Sequence, residues 1–168
     1  MTNLVSLAEL LARGGVHADL PARNHLDAVE QACALVDLPE AVDRELFSRA
    51  VLEREVLLTT AIGRGLALPH PRNNLPFTLE TQRVALFYLR DPVDFDALDG
   101  RPVYALFLML SADPRSHLGA LSGLSHLAQR DDFHVFLSAR PGEAELLAWL
   151  ETAQAAWHQS GLNPEATR

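Results

Sequence analysis

The chain has 168 residues and a 48% hydrophobic composition, enough apolar material for one domain with a sizeable core. Its 22 acidic residues outnumber 14 basic ones, a formal net charge of −8 that argues against nucleic acid and anionic membrane surfaces as partners. Every basic residue is Arg, which excludes a P-loop lysine, Schiff-base chemistry and a lysine general base while leaving phosphate binding open.

Met1–Arg13 carries Glu9 within an apolar pattern and has no basic n-region, so it does not read as a secretory signal. Ser6–Arg13 reads as a short amphipathic helix stopped by Gly14-Gly15, and Val16–Leu20 as a brief strand. Asn24 is expected to cap a helix with Asp27 in its first turn, running to about Leu38, because Leu26, Val29, Cys33 and Val36 recur at helical spacing. Cys33 falls on that apolar face as a small hydrophobe. As the only cysteine, it permits neither an internal disulfide nor a cysteine zinc cluster. Pro39 is expected to open the next helix at its first position, with Val42, Leu46, Ala50 and Leu52 on the inner face. Past the stretch Leu58–Arg72, Asn73–Thr81 is a polar loop with Pro76, Val84–Leu89 a buried strand, Asp91–Pro102 a loop, and Val103–Leu110 a second buried strand. Ser116 is expected to cap a helix reaching about Gln129. Asp132–Ala139 fits a short helix or a strand equally. Pro141-Gly142 precedes a last helix through Leu150, and a polar tail begins at Gln159. No run approaches the roughly 20 apolar residues that span a bilayer, and a reducing cytoplasmic compartment is the simplest expectation. There is no repeat and no linker. The order of elements predicts one α/β or α+β layer with helices covering a small mixed sheet.

The segment Leu58–Arg72 carries the functional signal. Leu68 and His70 both precede a proline and are pushed toward extended backbone, so His70 is expected on stiff chain just past a strand-like segment. Gly63 and Gly65 permit close approach of another backbone or ligand. An imidazole so held can act as a nucleophile, and a loop histidine without chemistry fits the same pattern. There are seven histidines, and none makes a His-Glu-x-x-His or His-x-His pair, so a metal site has little support. At about 100° per helical residue, His117 sits above Leu121, Leu124 and Ala128, directed to the buried side at the rim of its helix, while His126 faces away. A helix N-terminus disfavours imidazolium and offers N–H groups to an anion, although a capping or core-edge histidine is the commoner outcome. His25 is expected to be solvated; His134 and His158 give no signal. Arg54, Arg64 and Arg72 flank His70 in sequence and have the forked donors that hold a phosphoryl group, but Glu53-Arg54-Glu55 is more commonly a solvated charge cluster.

Glu53-Arg54-Glu55 and then Thr59-Thr60-Ala61-Ile62-Gly63-Arg64-Gly65-Leu66-Ala67-Leu68-Pro69-His70 resemble the signature of phosphotransferase-system enzyme IIA domains of the fructose–mannitol type, the nitrogen-regulatory branch in particular. Val93–Val103 resembles that branch's loop before the second core strand, and Ser116–Leu124 its helix with a second histidine. The resemblance spans about residues 5 to 150. It implies a single-domain α/β sandwich over residues 1–155, a small mixed sheet flanked by helices on both faces, followed by a polar tail at 156–168. It implies that His70 accepts a phosphoryl group from the phosphocarrier protein HPr or its nitrogen-branch homologue, with His117 and Arg54 completing the site. Gly63, Arg64, Gly65 and Arg72 are then expected to bind phosphate or form a partner rim. No metal or organic cofactor is implied. The output is expected to be regulatory, through an unknown target. The alternatives are a sugar permease component as recipient, or a binding module that has lost phosphotransfer. The sequence departs from the family pattern at Pro71, where Gly is usual, and at Arg64, where an uncharged or acidic residue is commoner. Proline removes a backbone N–H beside the histidine.

Overall fold

A computed structural model describes residues 5–73 and 75–160, the side chains of 157–160 excepted. Its elements are α1 (Leu7–Gly14), β1 (Val16–Leu20), α2 (His25–Leu35), α3 (Arg44–Leu57), β2 (Ala61–Gly63), β3 (Leu66–Ala67), β4 (Arg83–Val93), β5 (Val103–Leu110), α4 (Pro114–Ala128), α5 (Asp131–Ser138) and α6 (Glu143–Ser160). The five strands form one mixed sheet in the order β1-β4-β5-β3-β2. β1 runs parallel to β4 and β3 parallel to β5, while β4 with β5 and β2 with β3 are antiparallel.

The two central strands read as unbroken apolar runs because both faces of the sheet are covered. Ala85, Phe87 and Leu89 of β4, with Leu106, Leu108 and Leu110 of β5, pack against Ala28, Val29 and Cys33 of α2 and Phe47 and Val51 of α3. The alternate residues Val84, Leu86, Tyr88, Phe107 and Met109 meet Leu10 and Leu11 of α1, Leu124 and Leu127 of α4, Phe133 of α5, and Leu146 and Leu150 of α6. The protein is therefore a single α/β sandwich with helices on both faces. Gly14 sets one contact distance: a Cβ there would lie 2.0 Å from the Val84 carbonyl oxygen, so α1 can press onto β4 only without a side chain.

Several expected boundaries move, each for an identifiable reason. α2 ends at Leu35, not Leu38, where Arg44 Nη1 donates to the carbonyls of Cys33, Ala34 and Val36 at 2.7, 3.1 and 2.9 Å. A side chain from the next helix thus closes this one. Pro39 lies in a turn rather than opening α3. The cap is Asp43, whose carboxylate accepts from Leu46 N at 2.8 Å. That start puts Phe47 and Val51 inside and leaves Leu46 exposed, correcting its inward assignment. Asp113, not Ser116, caps α4 and accepts from Ser116 N at 2.8 Å; Pro114 fills the first position, where an N–H would be unpaired anyway. α5 settles the open choice at Asp132–Ala139 as a helix. α6 continues past Leu150 to Ser160, and Ala153 is still buried on it. The tail expected from Gln159 lies outside the described residues from 161 onward.

Cys33 is fully buried in the core, and burial pushes its thiol up to about 12. Among the described residues no helix is long and apolar enough to cross a membrane.

Candidate functional site

The site forms because β3 and β5 are parallel neighbours, so their carboxyl ends emerge at the same edge of the sheet. Ligand crevices in open α/β sheets favour this edge. The pairing continues beyond β3, with Met109 N donating to Pro69 O at 2.9 Å. His70 follows β3 within one side of this edge, and the β5–α4 connection carries His117 to the other.

The β2–β3 hairpin that delivers His70 is fastened at several points. Buried Glu55, at the end of α3, accepts from Thr60 N at 3.0 Å and from Thr60 Oγ1 at 2.5 Å. Thr59 Oγ1 donates to Phe95 O at 2.5 Å, and Leu68 N donates to Thr60 O at 3.0 Å. Arg72 N donates to Ala50 O at 3.0 Å, which ties the chain just after His70 to α3. Gly65 is needed at the hairpin turn: its φ is +83°, and a Cβ would lie 2.6 Å from the Tyr104 ring.

His70 and His117 face one another with ring centroids 4.7 Å apart and planes at 51°. Both are half-buried. They line a cleft of about 220 Å³ together with Arg54, Pro71, Arg72, Asn73, Leu75, Met109, Ser111, Asp113 and Pro114. His70 Nδ1 lies 2.8 Å from Leu68 O. A carbonyl only accepts, so Nδ1 carries the proton and donates, leaving the lone pair of the neutral ring on Nε2. Nε2 is thereby the nucleophilic atom. Burial lowers the His70 pKa below 6.5 against the opposing pull of the Leu68 carbonyl, and Arg54 adds to the lowering. His117 is also lowered, by burial first, then by His70 and Arg54. Both shifts favour the neutral form of the ring.

Arg54 occupies the third side of the cleft, with Nη1 donating to Leu58 O at 2.7 Å, which aligns the guanidinium along the end of α3. The expected charge cluster Glu53-Arg54-Glu55 is not a solvated face: Glu53 is exposed, Arg54 is half-buried at the site and Glu55 is buried beneath the hairpin. Gly63, Arg64 and Gly65 do not line the cleft. Arg64 adopts a φ of +55° at the turn, and its guanidinium reaches Gln129 O at 3.2 Å and Asp131 at 2.7 Å, at the start of α5. The turn conformation directs it away from His70, so it does not replace the N–H lost at Pro71. Arg72 does line the cleft, and it also lines a larger groove of about 590 Å³ on α2 and α3 that contains no histidine.

His117 lies within the first turn of α4, three positions deeper than expected, and its N–H is bonded to Asp113 O at 3.0 Å. His126 is exposed, as its place on the helix predicts. His25 is half-buried against Phe95 at 5.7 Å instead of solvated, because the loop after β4 folds over the start of α2. His17 stacks on Phe87 at 4.4 Å. Met109, Ser111 and Asp113 were missed at the sequence level. Ser111 and Asp113 had a readable signal, as polar residues directly after a buried strand and just before a candidate histidine.

Fold and cleft define a class: a small α/β domain presenting a histidine pair and an arginine where parallel strands end. The family described as phosphoenolpyruvate-dependent sugar phosphotransferase system, EIIA 2, matches residues 9–153, and the chain belongs to it. A nitrogen regulatory protein of Pseudomonas aeruginosa is 33% identical over 142 residues, covering 82% of this chain and 90% of that protein. The fructose-specific EIIABC component of Bacillus subtilis is 27% identical over 76% of this chain, which spans only 20% of that relative's length. Among solved structures, the nitrogen regulatory protein IIA-Ntr of Neisseria meningitidis superposes with a TM-score of 0.72 at 26% identity, covering 85% of this chain and 97% of that one. The mannitol IIA protein of Escherichia coli shares the fold, with a TM-score of 0.62 at 18% identity.

Proposed function

We propose that this chain is a cytoplasmic phosphoryl carrier of the phosphotransferase system, and that His70 is its acceptor. The observation that carries this reading is the Leu68 carbonyl on His70 Nδ1, which leaves Nε2 unprotonated in a cleft shared with His117 and Arg54. The Nε2 lone pair forms a bond to phosphorus as the donor's phosphorus–nitrogen bond breaks and that electron pair returns to the donor imidazole. Such transfer needs alignment and stabilisation of the phosphoryl oxygens more than covalent assistance. Arg54 and Arg72 supply cationic donors, and His117 a neutral one. Asp113 does not oppose this strongly, because its carboxylate is engaged by the amide of Ser116 at the start of α4. The donor in this reading is HPr or its nitrogen-branch homologue, and no metal or organic cofactor takes part.

The output is regulatory, of the nitrogen type. The nitrogen regulatory protein of Pseudomonas aeruginosa, 33% identical over 142 residues, supports this output, while a fructose-specific EIIA component of Haloferax volcanii, 34% identical over 99 residues, supports sugar transfer as the alternative. A phosphate on His70 adds about two negative charges at neutral pH and changes what the surface around the cleft attracts. Incubation with phosphoenolpyruvate, enzyme I and HPr is expected to label the protein with an acid-labile phosphate that His70→Ala abolishes. Undiminished labelling of that variant would remove His70 from its role. A second reading, a binding module without phosphotransfer, is favoured by Pro71, which lines the cleft where another residue would offer an N–H. Partner binding by an unlabelled wild-type protein would establish it.

A further inference from the structure

The two imidazoles of the cleft have different partners on Nδ1, and the difference has a chemical consequence. His70 Nδ1 faces a carbonyl, which can only accept. His117 Nδ1 faces the hydroxyl of Ser111, with Oγ at 3.4 Å. A hydroxyl can accept, but it can also donate, and a ring that receives a proton at Nδ1 must carry its own proton on Nε2. Of the two neutral forms of His117, only that one can give a hydrogen bond from Nε2. The 3.4 Å separation is at the long end of the hydrogen-bond range.

We propose that Ser111 is a positioning residue: its hydroxyl donates to His117 Nδ1 and holds that ring as the Nε2–H form, the complement of the His70 form across the cleft. The pair is then a base and a donor, set by what lies behind each ring. An acceptor-only group in place of the hydroxyl would put the proton on Nδ1 and leave both Nε2 atoms as lone pairs, with no donor for phosphoryl oxygens. Ser111 is well placed for this task because it immediately follows β5, whose register is held on both sides, so its distance to the start of α4 is set by backbone. This inference rests on the proposed phosphoryl-carrier reading for its purpose, but its observable does not.

The test uses the 168-residue chain with isotopically labelled histidine. Two-bond proton–nitrogen correlation spectra distinguish the two neutral ring forms and require no phosphoryl donor. The wild type is expected to show His70 protonated on Nδ1 and His117 on Nε2. Ser111→Ala is expected to shift His117 toward a mixture and leave His70 unchanged. In the labelling assay the same variant should slow phosphoryl uptake roughly 3- to 10-fold, the span of one ordinary hydrogen bond, with the rate recovered in Ser111→Thr. A wild-type His117 protonated on Nδ1, or a His117 spectrum indifferent to Ser111→Ala, would overturn the inference even if labelling succeeds. A protein that takes no label while its spectra shift as expected would overturn the carrier reading instead.

Discussion

His70 draws its chemistry from one hydrogen bond and its surroundings. The Leu68 carbonyl sets the ring form, and burial keeps the ring neutral into mildly acidic conditions. Because the folded pKa values of His70 and His117 lie below 6.5, the unfolded chain takes up protons at these positions before the folded chain does. Their contribution to stability is therefore present above pH 6.5 and is lost as the pH falls through the folded values. In the proposed carrier reading the same displacement keeps His70 Nε2 available as the nucleophile. Phosphoryl acceptance is expected to be flat from about pH 8 down to 6.5 and to decline only below that. Histidine titration by NMR checks this directly, and a His70 midpoint above 6.5 would contradict it. At this scale much was legible in the chain: the prolines around His70 announce stiff, extended backbone. The hydrogen bond from that ring to the Leu68 carbonyl two positions back was not, and its pairing with His117 was expected only from the family resemblance.

The connection from α3 to the β2–β3 hairpin decides where His70 stands. Glu55 closes it by accepting two hydrogen bonds from Thr60 with almost no exposure to water. Glu55→Ala leaves a buried N–H and hydroxyl without their acceptor and is expected to lower stability by about 1–3 kcal/mol in urea unfolding. A loss within experimental error would show that water replaces the carboxylate. Glu55 read as part of a charged run because sequence pattern registers charge and not enclosure. The same limit explains the displaced helix starts. Proline at position 39 and serine at 116 are competent start signals, but Asp43 and Asp113 lie where the chain actually enters the helix, and a carboxylate in place on the following amides wins.

The whole molecule is one sheet with an apolar layer on each face, and the alternation along β5 couples them. Leu106 points into the layer under α2 and α3, and Phe107 into the layer under α1 and α4–α6. Truncation to alanine is expected to cost about 2–5 kcal/mol for Leu106 and about 3–5 kcal/mol for Phe107, a large share of the ~5–15 kcal/mol that keeps such a domain folded. Both variants should unfold in a single transition that coincides by near- and far-ultraviolet circular dichroism. Two separated transitions in either would show that the layers are independent units.

Composition, periodicity and turn residues determined by themselves that there are two buried central strands, helices enough to cover them, and a histidine pinned between prolines at a strand end. These features are local: each follows from dihedral limits and side-chain spacing within a few residues. The family resemblance set His117 and Arg54 beside His70 as an expectation; only the tertiary structure decided that Ser111 backs His117 and that Arg64 turns away toward α5. Those outcomes depend on β3 pairing parallel to β5 and on its register, which bring together segments that no short-range pattern connects.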